Sequence, residues 1–328
     1  MATELMEKIL ERENMMQAYK KVKANKGACG LDGVSTEEIR EYLIENWISI
    51  RNKILKRKYK PQPVLRVEIP KPNGGVRNLG IPNVVDRIIE QAIAQVVSPI
   101  AEQYFSEYSY GFRPGRSAHQ AIDKLLEYLN EGYTYIVDID LEKFFDNVPH
   151  DKLMTLVQKI IHDPDTESLI KKYLTAGVMI RGKYEETKIG TPQGGNLSPL
   201  LSNIMLNELD KELEKRGLHF VRYADDCIIT VGSSASANRV MNTVTKWIER
   251  KLGLKVNATK SKVTKPTNLK YLGFSFYKIG EKWEVRIHED SLARFKRKLK
   301  KLTKRSWSVD MTYRIKKMNE VIRGFINY

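Results

Sequence analysis

Phe220-Val221-Arg222-Tyr223-Ala224-Asp225-Asp226-Cys227-Ile228-Ile229-Thr230-Val231 sets two short runs of aromatic and β-branched residues around a central Ala-Asp-Asp. Such runs suit a pleated, half-buried surface, so the segment predicts a hairpin with two acids at its tip. The turn lacks the glycine or asparagine that tight hairpins favour, which suggests a turn constrained for chemistry. Aspartate is common in turns, and the pair alone has that ordinary reading. Upstream, Tyr133-Thr134-Tyr135-Ile136-Val137-Asp138-Ile139-Asp140 is a second buried strand ending in acids. Carboxylates brought together from two strands repel unless cations sit among them. Mg²⁺ fits, with its preference for hard oxygen ligands, a few carboxylates and substrate phosphates. Two such ions suit an in-line displacement at phosphorus. Asp138 and Asp140 share a strand face, so spacing does not choose between them.

Outward from these strands, a helix is expected near Ser198-Pro199, with Leu200, Ile204 and Leu206 facing the core. Another is expected from Ala235 to Leu252, then a short strand at Leu254-Lys255-Val256 and a hairpin from Tyr271 to Ile287. The order strand, helix, hairpin, helix, strand is a split βαβ arrangement and an α+β fold. Towards the amino end, Glu4 to Lys26 reads as one helix, ended by Lys26-Gly27-Ala28-Cys29-Gly30-Leu31-Asp32-Gly33. Ser35 and Glu38 have capping-box spacing ahead of a helix running to about Lys56. Val64–Pro70 and Val76–Ile81 flank Pro72-Asn73-Gly74-Gly75 as a further hairpin. Helical signals cover Val84–Tyr104 and Ser117–Leu129, around the loop Ser109-Tyr110-Gly111-Phe112-Arg113-Pro114-Gly115-Arg116.

The 328-residue chain carries a formal net charge of +16, which favours a polyanionic partner because phosphate neutralisation releases counterions. Arg294, Lys296, Arg297, Lys298, Lys300, Lys301, Lys304 and Arg305 concentrate charge near the carboxyl end, where a phosphate backbone is a better partner than bare solvent. Two cysteines, Cys29 and Cys227, form neither a disulfide framework nor a zinc spacing, so a reducing cytosol is expected. The amino end has no uninterrupted apolar run for export or membrane insertion.

Tyr223-Ala224-Asp225-Asp226 resembles the polymerase motif of reverse transcriptases, and the surrounding segments resemble bacterial group II intron-encoded reverse transcriptase/maturases. The similarity takes in Lys26–Gly33, Ile69–Arg77, Tyr110-Gly-Phe-Arg-Pro114, Asp140-Leu-Glu-Lys-Phe-Phe-Asp146, Thr191-Pro-Gln-Gly-Gly195 and Tyr271-Leu-Gly-Phe274, nearly the whole chain. It implies a right-hand polymerase: an amino-terminal extension of the fingers over 1–50, fingers and palm over 51–277, and the start of a helical thumb/maturase region over 278–328. On this resemblance these residues are expected to end inside that last region, short of a DNA-binding or endonuclease tail.

The resemblance selects Asp140 over Asp138, so Asp140, Asp225 and Asp226 are expected to hold two Mg²⁺ ions, with Mn²⁺ as a substitute. It implies Phe145 as a steric gate against a ribose 2′-hydroxyl, and Lys71 and Arg77 on the incoming triphosphate. Gln193 would reach the sugar or base. Lys260, with Lys262 as the alternative, would protonate departing pyrophosphate. Arg113 and Arg116 are candidates for contacting the RNA template, and Asp146 for capping the helix after it. The partners implied are a group II intron RNA template, a DNA primer and deoxynucleoside triphosphates, in the bacterial cytoplasm and with a monomer as the default. Two other readings are a purely RNA-binding splicing factor, for which intact acids would be unnecessary, and an RNA-dependent RNA polymerase, which bulky Phe145 opposes.

Overall fold

A computed structural model describes residues 3–70 and 76–327. The amino-terminal layer comprises α1 (Glu4–Ile9), α2 (Arg12–Ala24) and α3 (Ile39–Leu55). The single helix expected over Glu4–Lys26 is broken, because the Asn14 side-chain amide takes the carbonyls of Ile9 (2.8 Å) and Ala92 (3.1 Å). Ser35 and Glu38 do form reciprocal capping-box bonds, although regular helix starts only at Ile39.

The expected fingers hairpin is present as β1 (Val64–Pro70) and β2 (Val76–Ile81), antiparallel from Leu65↔Ile81 to Pro70↔Val76. Next come α4 (Val84–Glu102), α5 (Ala118–Asn130), β3 (Tyr135–Ile139), α6 (Phe144–Asn147), α7 (His150–Ile161) and α8 (Pro164–Leu174). Ser117 and Gln120 close a full capping box on α5. A small hairpin, β4 (Val178–Ile180) and β5 (Lys183–Glu185), then joins the fingers, because β4 pairs parallel with β1.

After it come α9 (Ser198–Lys215), β6 (His219–Tyr223), β7 (Asp226–Val231), α10 (Ser234–Trp247), β8 (Lys262–Thr264), β9 (Lys270–Tyr271), β10 (Phe274–Ile279), β11 (Lys282–Ile287), α11 (Glu289–Leu302) and α12 (Met311–Ile326). The palm sheet has the order β6-β7-β3-β8, all neighbours antiparallel, as the split βαβ reading requires. Val137, Ile139, Cys227 and Ile229 enter the larger core with α4, α7, α9 and α10. Ile136, Val221 and Ile228 enter a second core with Leu125, Leu129, Tyr271 and Phe276. Burial on both faces explains why these strands read as continuous apolar runs rather than alternating ones.

Two local expectations are corrected. Leu254–Val256 is not a strand of the sheet: Val256 makes a single bridge to Leu141, and the strand beside β3 is β8. An Asn257 turn intervenes, its side-chain oxygen accepting from the Thr259 and Lys260 amides and delaying the pairing. Asp146 caps no helix, since it lies within α6 and the next helix starts behind Pro149. Outside the two cores, α11 and α12 pack on each other through Phe295 and Phe325, stacked 3.9 Å apart. No described helix is long and apolar enough to cross a membrane.

Candidate polymerase site

Residues 224–225 form a two-residue loop closed by Tyr223↔Asp226. Ala224 takes φ +58°, at the position where a II′ turn normally carries glycine. A non-glycine residue there costs about 1 kcal/mol or more, and the surroundings must hold it. One step beyond the Ile139↔Cys227 pair, Asp140 comes level with Asp226. Asp225 and Asp226 from one hairpin and Asp140 from the neighbouring strand therefore converge at one end of the sheet.

The electrostatics agree. Asp226 is exposed at the head of β7, yet the atoms crowding its carboxyl, and then the charges of Asp225, Asp140 and Asp138, push that carboxyl up to about 7. Burial and, behind it, Asp140 raise Asp225, against the pull of Arg77 and Arg222. Asp138 is raised to about 6, first by burial, with Lys262 opposing. Among the described residues no three carboxylate, imidazole or thiol groups close into a ligand cluster. The donor set nonetheless fits a divalent cation, because a dication among these oxygens offsets both their burial and their mutual repulsion.

Backbone contacts absent from the sequence reading fix Asp140. Its amide donates to Ser261 Oγ (3.0 Å), and its carbonyl accepts from the Asn257 amide (2.8 Å). The Asn257 turn then swings Lys260 inward, with Nζ 3.2 Å from Asp140 Oδ2. Lys262 sits instead opposite Asp138 on β8. Of the two lysines left open by the sequence, Lys260 is the one that meets Asp140.

Around the acids, Arg77 is exposed opposite Ile69, close enough to lower the Asp225 carboxyl, whereas Lys71 lies outside the described residues. Phe145 and Gln193 line one cavity of about 490 Å³ together with Arg66, Asn78 and Gly80. The Thr191 amide donates to the Phe145 carbonyl (2.7 Å) and the Gly80 amide to the Gln193 carbonyl (2.7 Å), pinning this loop between palm and fingers. Gly194 is required twice over: its φ is +128°, and a Cβ would lie 2.3 Å from the Gly80 carbonyl. Glu90 holds the far end of the loop, accepting from the Asn196 amide at 2.6 Å. Burial, and then Asp86, raises the Glu90 carboxyl to about 8.

Arg113 requires a correction. Its guanidinium is buried, bonded to the Ser106 and Ser109 carbonyls and paired with Glu102, so it braces the loop and offers nothing to a template. Arg116 remains partly open, over the Tyr110 ring.

A split βαβ sheet with acids at one end and Arg77 of the β1–β2 hairpin near them is the arrangement of a palm-type polymerase fold. Residues 69–276 match the family model described as reverse transcriptase (RNA-dependent DNA polymerase), and residues 292–328 match the group II intron maturase-specific domain. The chain is 34% identical over 299 residues to Protein YkfC of Escherichia coli, covering 79% of this chain and 78% of that one. It is 36% identical over 234 residues to the Group II intron-encoded protein LtrA of Lactococcus lactis, covering 69% of this chain and 38% of LtrA. A putative COX1/OXI3 intron 2 protein of Saccharomyces cerevisiae is 30% identical over 311 residues, covering 75% of this chain and 36% of that protein. The chain belongs to the reverse transcriptase family, in its group II intron branch. It spans little more than a third of the length of LtrA and of the yeast relative.

Proposed function

We propose that this chain is an RNA-directed DNA polymerase that extends a DNA primer along group II intron RNA, with an associated maturase role, in the bacterial cytoplasm. The observation that carries the reading is the convergence of Asp140, Asp225 and Asp226 at one end of a buried sheet, where loss of water and then the charges of Asp225 and Asp140 raise Asp226 to about 7. These three acids would hold two Mg²⁺ ions, which supply activation of the primer 3′-hydroxyl and charge neutralisation on the triphosphate.

The remaining roles belong to side chains. Arg77, with Lys71, would clamp the phosphates, as a rigid donor fork and a point charge do. Phe145 would exclude a ribose 2′-hydroxyl by collision. Gln193, on the loop pinned to Gly80, would orient the sugar or base. Lys260, paired with Asp140, would deliver a proton to the departing pyrophosphate. We assign 1–50 to an extension of the fingers, 51–277 to fingers and palm, and 278–328 to the start of the thumb. The basic face of α11 supports RNA binding under this reading.

The test is primer extension on an RNA template with deoxynucleotides and Mg²⁺, run beside Asp225→Asn and an EDTA control. DNA synthesis abolished by either control is expected. Tight RNA binding without extension in the parent chain would leave it a binding module and reject the enzyme reading for this chain alone.

A further inference from the structure

Arg222 stands immediately before the Tyr-Ala-Asp-Asp hairpin and is completely buried, an unusual place for a guanidinium. Each of its three guanidinium nitrogens is hydrogen-bonded. Nε and Nη2 reach the two carboxylate oxygens of Asp210 on α9 at 2.7 and 2.6 Å. Nη1 donates to Asn203 Oδ1 at 3.0 Å and to the Ala224 carbonyl at 2.7 Å. Asp210 is as fully buried as its partner. The last of these bonds is the informative one, since Ala224 is the left-handed residue that turns the chain into Asp225.

A second layer holds the same turn from outside. Asn203 Nδ2 donates to the Gly111 carbonyl at 2.9 Å. A Cβ on Gly111 would stand 2.1 Å from the Ala224 nitrogen, so the loop can close on the hairpin only with glycine there. The Arg222 backbone is also bonded to this loop, its amide donating to Tyr108 (2.9 Å) and its carbonyl accepting from Tyr110 (2.8 Å). The Tyr110-Gly-Phe-Arg-Pro114 segment thus acts as the outer wall of the acid-bearing turn.

We infer that Arg222, oriented by Asp210 and Asn203, is a positioning residue that sets where Asp225 and Asp226 present their carboxylates to the metal ions. The inference rests on those acids being the ones used in the reaction. A bond to a carbonyl one residue before Asp225 controls the direction of the turn rather than its charge. Losing it should therefore impair ion placement and the chemical step while leaving nucleotide and RNA binding intact.

The test compares the parent chain with Arg222→Met/Asp210→Leu, because replacing a buried ion pair by apolar side chains of similar volume is often neutral for stability. Arg222→Lys is the companion variant, as it keeps the charge but cannot serve Asp210, Asn203 and Ala224 together. Unchanged melting, a kcat for primer extension lowered by about 10- to 100-fold, and KM for deoxynucleotide within about twofold are expected, a loss typical of removing a partner that orients metal ligands. Binding of Mn²⁺ to the free protein, counted by electron paramagnetic resonance, should weaken by about tenfold or more on the same grounds. If the double variant fails to fold, the lysine variant decides alone. A folded variant with parental kcat and Mn²⁺ binding overturns the inference. Extension surviving in Asp225→Asn would instead overturn the assignment of the acids.

Discussion

The palm hairpin β6–β7 and the fingers hairpin β1–β2 are both two-stranded antiparallel ribbons with candidate site residues at or near one end, but they are held in opposite ways. In the palm, Val221, Arg222 and Cys227 through Val231 are buried, and the turn is tied to α9 and to the 108–111 loop. In the fingers, Val64 alone is buried among the described strand residues; Val67 through Pro70 and Val76–Arg77 are exposed. The difference follows from charge. Three carboxylates that repel one another stay together only if the scaffold does the holding. Cations that reach for phosphates are drawn into place by their ligand, so an exposed ribbon is sufficient.

That contrast can be tested from the strongest effect downward. Asp140→Asn should lower primer extension by more than about 100-fold, beyond the loss from an outer-shell partner, with the melting temperature nearly unchanged. A smaller loss than at Arg77 would reverse the ranking of the two ribbons. Arg77→Ala removes a charge-assisted contact of about 1.5–3 kcal/mol, so kcat/KM for deoxynucleotides should fall by about 10- to 100-fold, through KM, at unchanged stability. Arg77→Lys should restore only part of it. For Phe145→Ala, single-nucleotide incorporation should show ribonucleotide discrimination falling by about tenfold or more, in the range of a lost steric contact.

The smallest effect concerns the support between the ribbons. The Glu90 carboxyl is raised to about 8, so the folded chain keeps a proton that the unfolded chain releases near 4.5. Its contribution to stability is complete below 4.5 and is lost as pH rises through 8. Glu90→Gln should flatten denaturant-measured stability between pH 6 and 8, by at most about 1.36 kcal/mol per pH unit, the limit for one proton. Asp86, raised to about 6, has completed most of its own change below that window. An unchanged slope would show that Glu90 is ionised in the fold.

Much of this arrangement was legible in the residues. Both hairpins and the helix expected from Ser117 followed from β-branched runs, turn residues and helical periodicity, whereas the Ser117–Gln120 cap emerged only in the fold. What escaped depends on contacts between distant positions. Arg113 looked free because Gly and Pro surround it, whereas Glu102 and two carbonyls consume it. Ser261 and Asn257 support Asp140 from about 120 positions away, and nothing local marks them beyond an Asx-turn spacing. β4 joins β1 across more than 100 residues, so neither short strand declares its sheet. Arg222 and Glu90 did carry a signal: an ionisable residue inside an otherwise apolar strand or helix needs a buried partner.

The pairing of β4 with β1 has a mechanical consequence. The chain enters the fingers twice, once at residues 59–63 and again at 175–177, and its second exit runs directly into the loop bearing Gln193. A sheet fastened by two entries and two exits cannot swing on a single hinge. Any rotation of the fingers must bend all of these connections together and pull on the Gln193 loop, so that opening the hand and withdrawing Gln193 are geared to one another.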